Sequence, residues 1–110
     1  MAPVPEPSAA FAALGDPVRM DLVRALLDGP ERSSVLADRV GATRSTTSKH
    51  LRVLADAGLV QAVVVPEDHR GRRYTLARDG FGDMAAFLRE VEAFWQVQLT
   101  AFKAFAEEHE

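Results

Sequence analysis

The stretch Thr43-Arg44-Ser45-Thr46-Thr47-Ser48-Lys49-His50-Leu51-Arg52-Val53-Leu54-Ala55-Asp56-Ala57 joins a front rich in hydroxyls and cations to an apolar tail. At 3.6 residues per turn, Thr47, Leu51, Leu54 and Ala57 fall on one side, the side a core would cover. Arg44, Ser45, Ser48, Lys49 and Arg52 fall on the other. Thr43 suits an N-cap, and Gly58 suits the residue just past the C-terminus. A helix of this kind buries its back and offers hydrogen-bond donors and acceptors at its front.

The neighbouring segments supply the remainder of a small domain. Upstream, Ser8 is expected to cap a short helix over 9–14 that Gly15 ends. Asp16-Pro17 has the form of an N-cap followed by proline at the first helical position. The helix it opens carries Val18, Leu22, Val23, Ala25, Leu26 and Leu27 up to Asp28, and Gly29-Pro30 stops it. A third helix fits 34–40, with Val35, Leu36 and Val40 inward and Gly41 at its end. Downstream, Leu59–Val65 and Arg72–Leu76 read as two strands around a polar turn, Pro66–Gly71. Tyr74 and Leu76 point one way, Arg73 and Thr75 the other. After Asp79-Gly80-Phe81-Gly82, a long helix is expected from about Asp83 to Glu108. Met84, Leu88, Val91, Trp95, Leu99, Phe102 and Phe105 form one stripe on it, with Phe87, Phe94 and Ala101 beside them.

Composition bounds what this chain does. With 110 residues it has room for one domain, and 47% apolar with 26% charged residues is the balance of a globular protein. Residues 1–7 hold three prolines and read as a disordered arm, leaving 8–110 as the domain. There is no cysteine, which removes disulfides, thiolate metal ligands and thiol catalysis. No catalytic constellation and no phosphate-binding glycine loop is present, so neither an enzyme nor a cofactor is expected. No membrane-spanning run or signal peptide is apparent, and a cytoplasmic location is the expectation. The formal net charge is −3, yet Arg32–Arg78 holds nine basic residues against four acids, a net of +5. The acidic ends carry the balance. A basic middle of this kind suits a phosphate-bearing partner.

Helices in series, a polar-fronted helix and then a basic hairpin are the layout of a winged helix-turn-helix. The class is mainly α with a small β-hairpin wing, in the order α, α, α, α, β-hairpin, α. A helix of this width enters the DNA major groove and reads base edges from its N-terminal turns. In the hairpin, Arg70, Arg72 and Arg73 suit phosphates or the minor groove. A winged helix that binds protein instead of DNA is the alternative from another class, and the basic set at 44, 49, 52 and 70–73 argues against it.

The chain resembles the ArsR/SmtB family of bacterial winged-helix repressors. The matching pieces are Ala13-Leu14-Gly15-Asp16-Pro17-Val18-Arg19, Leu36-Ala37, Ser45-Thr46-Thr47-Ser48-Lys49-His50-Leu51, Leu54-Ala55-Asp56-Ala57-Gly58-Leu59-Val60 and Gly71-Arg72-Arg73-Tyr74-Thr75-Leu76. The resemblance implies a homodimer that represses transcription by occupying an operator in double-stranded DNA. It places DNA contacts at Arg44, Ser45, Ser48 and Lys49, with Thr46 and His50 adjacent. His50 fits a base contact and a structural hydrogen bond equally well. Arg44 stands where the family often has glutamine, which implies a guanine at the matching operator position. The terminal helices would form the dimer interface, here Phe11, Leu14, Met84, Leu88, Val91, Trp95, Leu99 and Phe102. An organic effector between Phe87, Phe94, Trp95 and the first helix is a second use of the same aromatic stripe. Where metal-sensing members carry Cys-x-Cys, this chain has Arg32-Ser33-Ser34, so no metal site is expected.

Overall fold

The computed structural model describes residues 6–64, 66 and 72–109. Five helices and one hairpin run in the order α1 (Ser8–Leu14), α2 (Pro17–Leu26), α3 (Ser33–Val40), α4 (Arg44–Asp56), β1 (Val60–Val64), β2 (Arg72–Leu76) and α5 (Arg78–Glu108). This is the mainly α, winged arrangement that the sequence implies. Of the expected arm, Glu6 and Pro7 are described; residues 1–5 lie outside the described residues, as do Val65 and the hairpin tip with His69 and Arg70.

Local chemistry sets the helix boundaries. Asp16 caps α2, its carboxylate accepting from the backbone N–H of Val18 at 2.8 Å and of Arg19 at 3.2 Å. Thr43 caps α4, accepting from the Thr46 N–H at 3.1 Å. Ser8 does not cap α1. It is the first helical residue, and its own N–H is taken by the Glu6 carboxylate at 2.9 Å. At the other end of α2 the helix stops at Leu26, so Leu27 is a C-cap residue and is exposed rather than inward.

Leu22, Leu36, Leu51, Leu54 and Leu59 are fully buried and form the centre of the core. In α3 Leu36 is buried and Val40 packs against the core as expected, Ala37 is buried with them, and Val35 is exposed rather than inward. Thr47, Leu51 and Leu54 are the buried residues of α4, as its periodicity predicts. The Thr47 hydroxyl is buried without a hydrogen-bond partner among the described residues, a local cost inside an otherwise apolar contact.

The hairpin is antiparallel, with Val60 opposite Leu76, Ala62 opposite Tyr74 and Val64 opposite Arg72. Tyr74 and Leu76 pack against the core, which fixes the face the wing presents. A second connection had no sequence signal. Glu31, in the turn before α3, exchanges backbone hydrogen bonds with Tyr74 at 3.0 and 2.8 Å and so forms an isolated bridge to β2.

The last helix begins at Arg78, five residues before the expected start. Glycine in a helix costs about 1 kcal/mol relative to alanine, which is why Gly80 and Gly82 read as a loop. Here Gly80 enables a close approach: its N–H donates to the Gly58 carbonyl at 2.8 Å, and Gly58 itself has φ +74°. A Cβ at Gly80 would lie 2.5 Å from the Ala57 carbonyl oxygen and 2.8 Å from Leu59 Cδ2. The first turn of α5 is thus seated on the turn that ends α4. Gly80→Ala is expected to lower stability by about 1–3 kcal/mol through this overpacking, read as a drop in thermal midpoint, whereas Gly82→Ala, which meets nothing within 4 Å, is not.

Candidate nucleic-acid interface

Thr43 sets the front of the interface. With the Thr43 cap in place, α4 starts with Arg44, Ser45 and Thr46 all exposed, and Ser48, Lys49 and Arg52 continue the exposed side. The Thr46 hydroxyl accepts from that of Thr43 at 2.9 Å, so this side chain also serves the cap. No acidic residue lies in the first turn, and the positive end of the helix dipole adds to the Arg44 and Lys49 charges. Ser45, Ser48, Lys49, Arg52 and Val53 line an open concavity of about 500 Å³.

The wing carries cations of its own. Arg72 opens β2 and is exposed; Arg73, the next residue, is half-buried and already engaged. Arg70 lies outside the described residues. His50 differs from its neighbours on α4: it is half-buried, and its Nδ1 lies 3.2 Å from a guanidinium nitrogen of Arg19. Arg19 was not singled out from sequence. It stands 31 positions away, and the Asp16-Pro17-Val18-Arg19 motif offered only its conspicuous cap. The Asp16 carboxyl is held below the usual carboxylate range, chiefly by the Arg19 backbone N–H, with the Val18 N–H and the Arg19 charge assisting against a desolvation cost.

The expected dimer residues divide by burial. Met84 is 8% exposed and sits in the subunit's own core, against which Phe11 and Leu14 also pack. Val91 is half-buried, while Leu88, Trp95, Leu99 and Phe102 are 49–71% exposed along the outer part of α5. Of the aromatic residues expected around an effector, Phe87 packs edge-on against Phe11 at 5.7 Å and Phe94 against Trp95 at 5.0 Å. A separate groove of about 380 Å³ runs between α1 and α4, with Ala9, Ala12, Ala13, Val53 and Ala57 in its walls.

Residues 14–61 match a helix-turn-helix domain family. An ArsR-like transcriptional regulator from Rhodococcus sp. RHA1 superposes with a TM-score of 0.73, at 33% identity over 94% of this chain and 92% of that one. The chain belongs to the ArsR family of transcriptional regulators. It is 45% identical over 65 residues to the HTH-type transcriptional regulator CmtR of Mycobacterium tuberculosis, a match covering 59% of this chain and 52% of CmtR. It is 30% identical over 79 residues to a probable mercury resistance operon repressor of Streptomyces lividans, covering 72% of this chain and 61% of that protein. The aligned part thus spans about half to three-fifths of the length of these curated relatives.

The Asp16 cap makes a pH prediction. A carboxyl whose folded pKa is depressed stabilises above the unfolded value of about 4 and loses that contribution as pH falls through the folded one. Wild type should therefore unfold at higher temperature than Asp16→Asn at neutral pH, and the gap should close below about pH 4. A gap that widens on acidification would contradict the assignment.

Proposed function

We propose that this ArsR-family protein is a homodimeric, sequence-specific repressor that binds an operator in double-stranded DNA in the cytoplasm. The observation that carries this reading is the exposed hydroxyl-and-cation side of α4, Arg44 to Arg52. Arg44, Ser45, Thr46 and Ser48 take the groove-facing role, and Lys49, Arg52, Arg70, Arg72 and Arg73 the phosphates. A side chain contacting phosphate releases counterions, so its loss lowers the slope of log K against log[salt] by about one. Lys49→Ala and Arg72→Ala should each weaken binding to duplexes selected from genomic fragments and flatten that slope. Arg44→Ala should instead relax preference for guanine at one half-site position, by about 1–3 kcal/mol. A protein that elutes from DNA resin at low salt, indifferent to Lys49→Ala and Arg72→Ala, would be a protein-binding module instead.

The dimer is supported by the outer part of α5. Each large apolar side chain left in water forgoes about 1.5–3 kcal/mol, and Leu88, Trp95, Leu99 and Phe102 lie exposed along one helix. Val91 continues this seam, with Phe11, Leu14 and Met84 at its inner end. Trp95→Asp should convert the dimer to monomer in sedimentation velocity while leaving the helical circular dichroism of the subunit largely intact. The Streptomyces relative is named a probable mercury resistance operon repressor; a soft metal such as mercury asks for soft ligands, and this chain has no cysteine.

A further inference from the structure

The back of α4 is held by Leu51 and Leu54, whose contacts are apolar and therefore non-directional. Such contacts set which face of the helix turns inward, but they constrain small rotations about its own axis weakly. On the side facing α1, small residues leave the groove lined by Ala9, Ala12, Ala13, Val53 and Ala57. Arg19 spans this region. Its Nε–H donates to the Ala13 carbonyl at the end of α1, and its Nη1 reaches His50 Nδ1 on α4. Its own backbone belongs to the capped first turn of α2. One guanidinium therefore ties three helices together.

The chemistry of the pair is directional. A guanidinium has donors and no acceptor, so His50 Nδ1 must accept, and the ring proton must sit on Nε2. We propose that Arg19 is a positioning residue for DNA binding: from the elbow between α1 and α2 it holds His50 in its Nε2–H form and so fixes the roll of the α4 front. This rests on the DNA-binding reading above. It also resolves the two uses of His50: Nδ1 is structural, and Nε2 is left as a donor suited to a phosphate oxygen. Arg19 itself touches no DNA in this arrangement.

The experiment is a double-mutant cycle on the full chain, with a duplex that the wild type selects from a random-sequence pool. Arg19→Ala and His50→Phe should each weaken binding about tenfold, and the double variant no further than the weaker single one. Arg19→Lys should restore part of the loss. The salt slope of Arg19→Ala should match wild type, because no phosphate contact is removed. Nitrogen-15 spectra of the His50 ring should show the Nε2–H tautomer in wild type and a mixture in Arg19→Ala. Additive losses, unchanged affinity, a slope lower by about one in Arg19→Ala, or an Nδ1–H ring in wild type would each overturn the proposal. If Arg19→Ala does not fold, the cycle with Arg19→Lys and the wild-type tautomer decide in the same sense. Wild type that binds no duplex would defeat the DNA-binding reading and this proposal together. Binding with additive losses would defeat only the role of Arg19.

Discussion

Leu51 and Leu54 enter one apolar cluster with Leu22, Leu36 and Leu59, and that shared burial determines where the rest of α4 can go. Thirteen residues make about three and a half turns, so three inward positions leave the opposite side to solvent along its whole length. The cations and hydroxyls at 44, 45, 48, 49 and 52 are outside because nothing inside could satisfy them. The polar front of the molecule is thus a consequence of its core, and the two cannot be altered independently.

Around that core, a few polar links settle orientation. Asp16 and Thr43 start their helices at fixed residues by taking backbone N–H groups that would otherwise lack partners. Glu31 ties the turn before α3 to Tyr74, so the wing is attached to the helical part at a point besides its own strands. Gly58 and Gly80 bring the end of α4 and the start of α5 into backbone contact. Each of these links is small in energy and specific in direction, the reverse of the leucine cluster they surround.

These same features divide what sequence could reveal from what it could not. Caps and periodicity act within one or two turns, so Asp16, Thr43 and the face of α4 were readable from their neighbours alone. Val35 is not distinguishable by sequence from its inward neighbours, because Val35, Leu36 and Ala37 are all apolar and a helix of eight residues repeats too few times to separate them. The helical place of Gly80 is hidden from the sequence because its value lies in Ala57 and Leu59, more than twenty positions back, while its local propensity points to a loop. Glu31 pairs through backbone atoms, which leave no mark on residue type. Nothing marks Arg19 in the sequence and His50 fits two uses there; only their meeting across two helices gives the pair meaning.

The seating of Gly80 against Gly58 has a mechanical side. Ala77 donates to the Leu59 carbonyl, and Arg78 begins α5 two residues after the last residue of the wing. No slack separates hairpin from helix, so α5 behaves as a lever whose fulcrum is the end of α4. At 1.5 Å per residue its 31 residues reach about 46 Å, and a tilt of about 5° at the fulcrum sweeps the far end through about 4 Å. Run in reverse, whatever grips the far end of that lever also aims the wing.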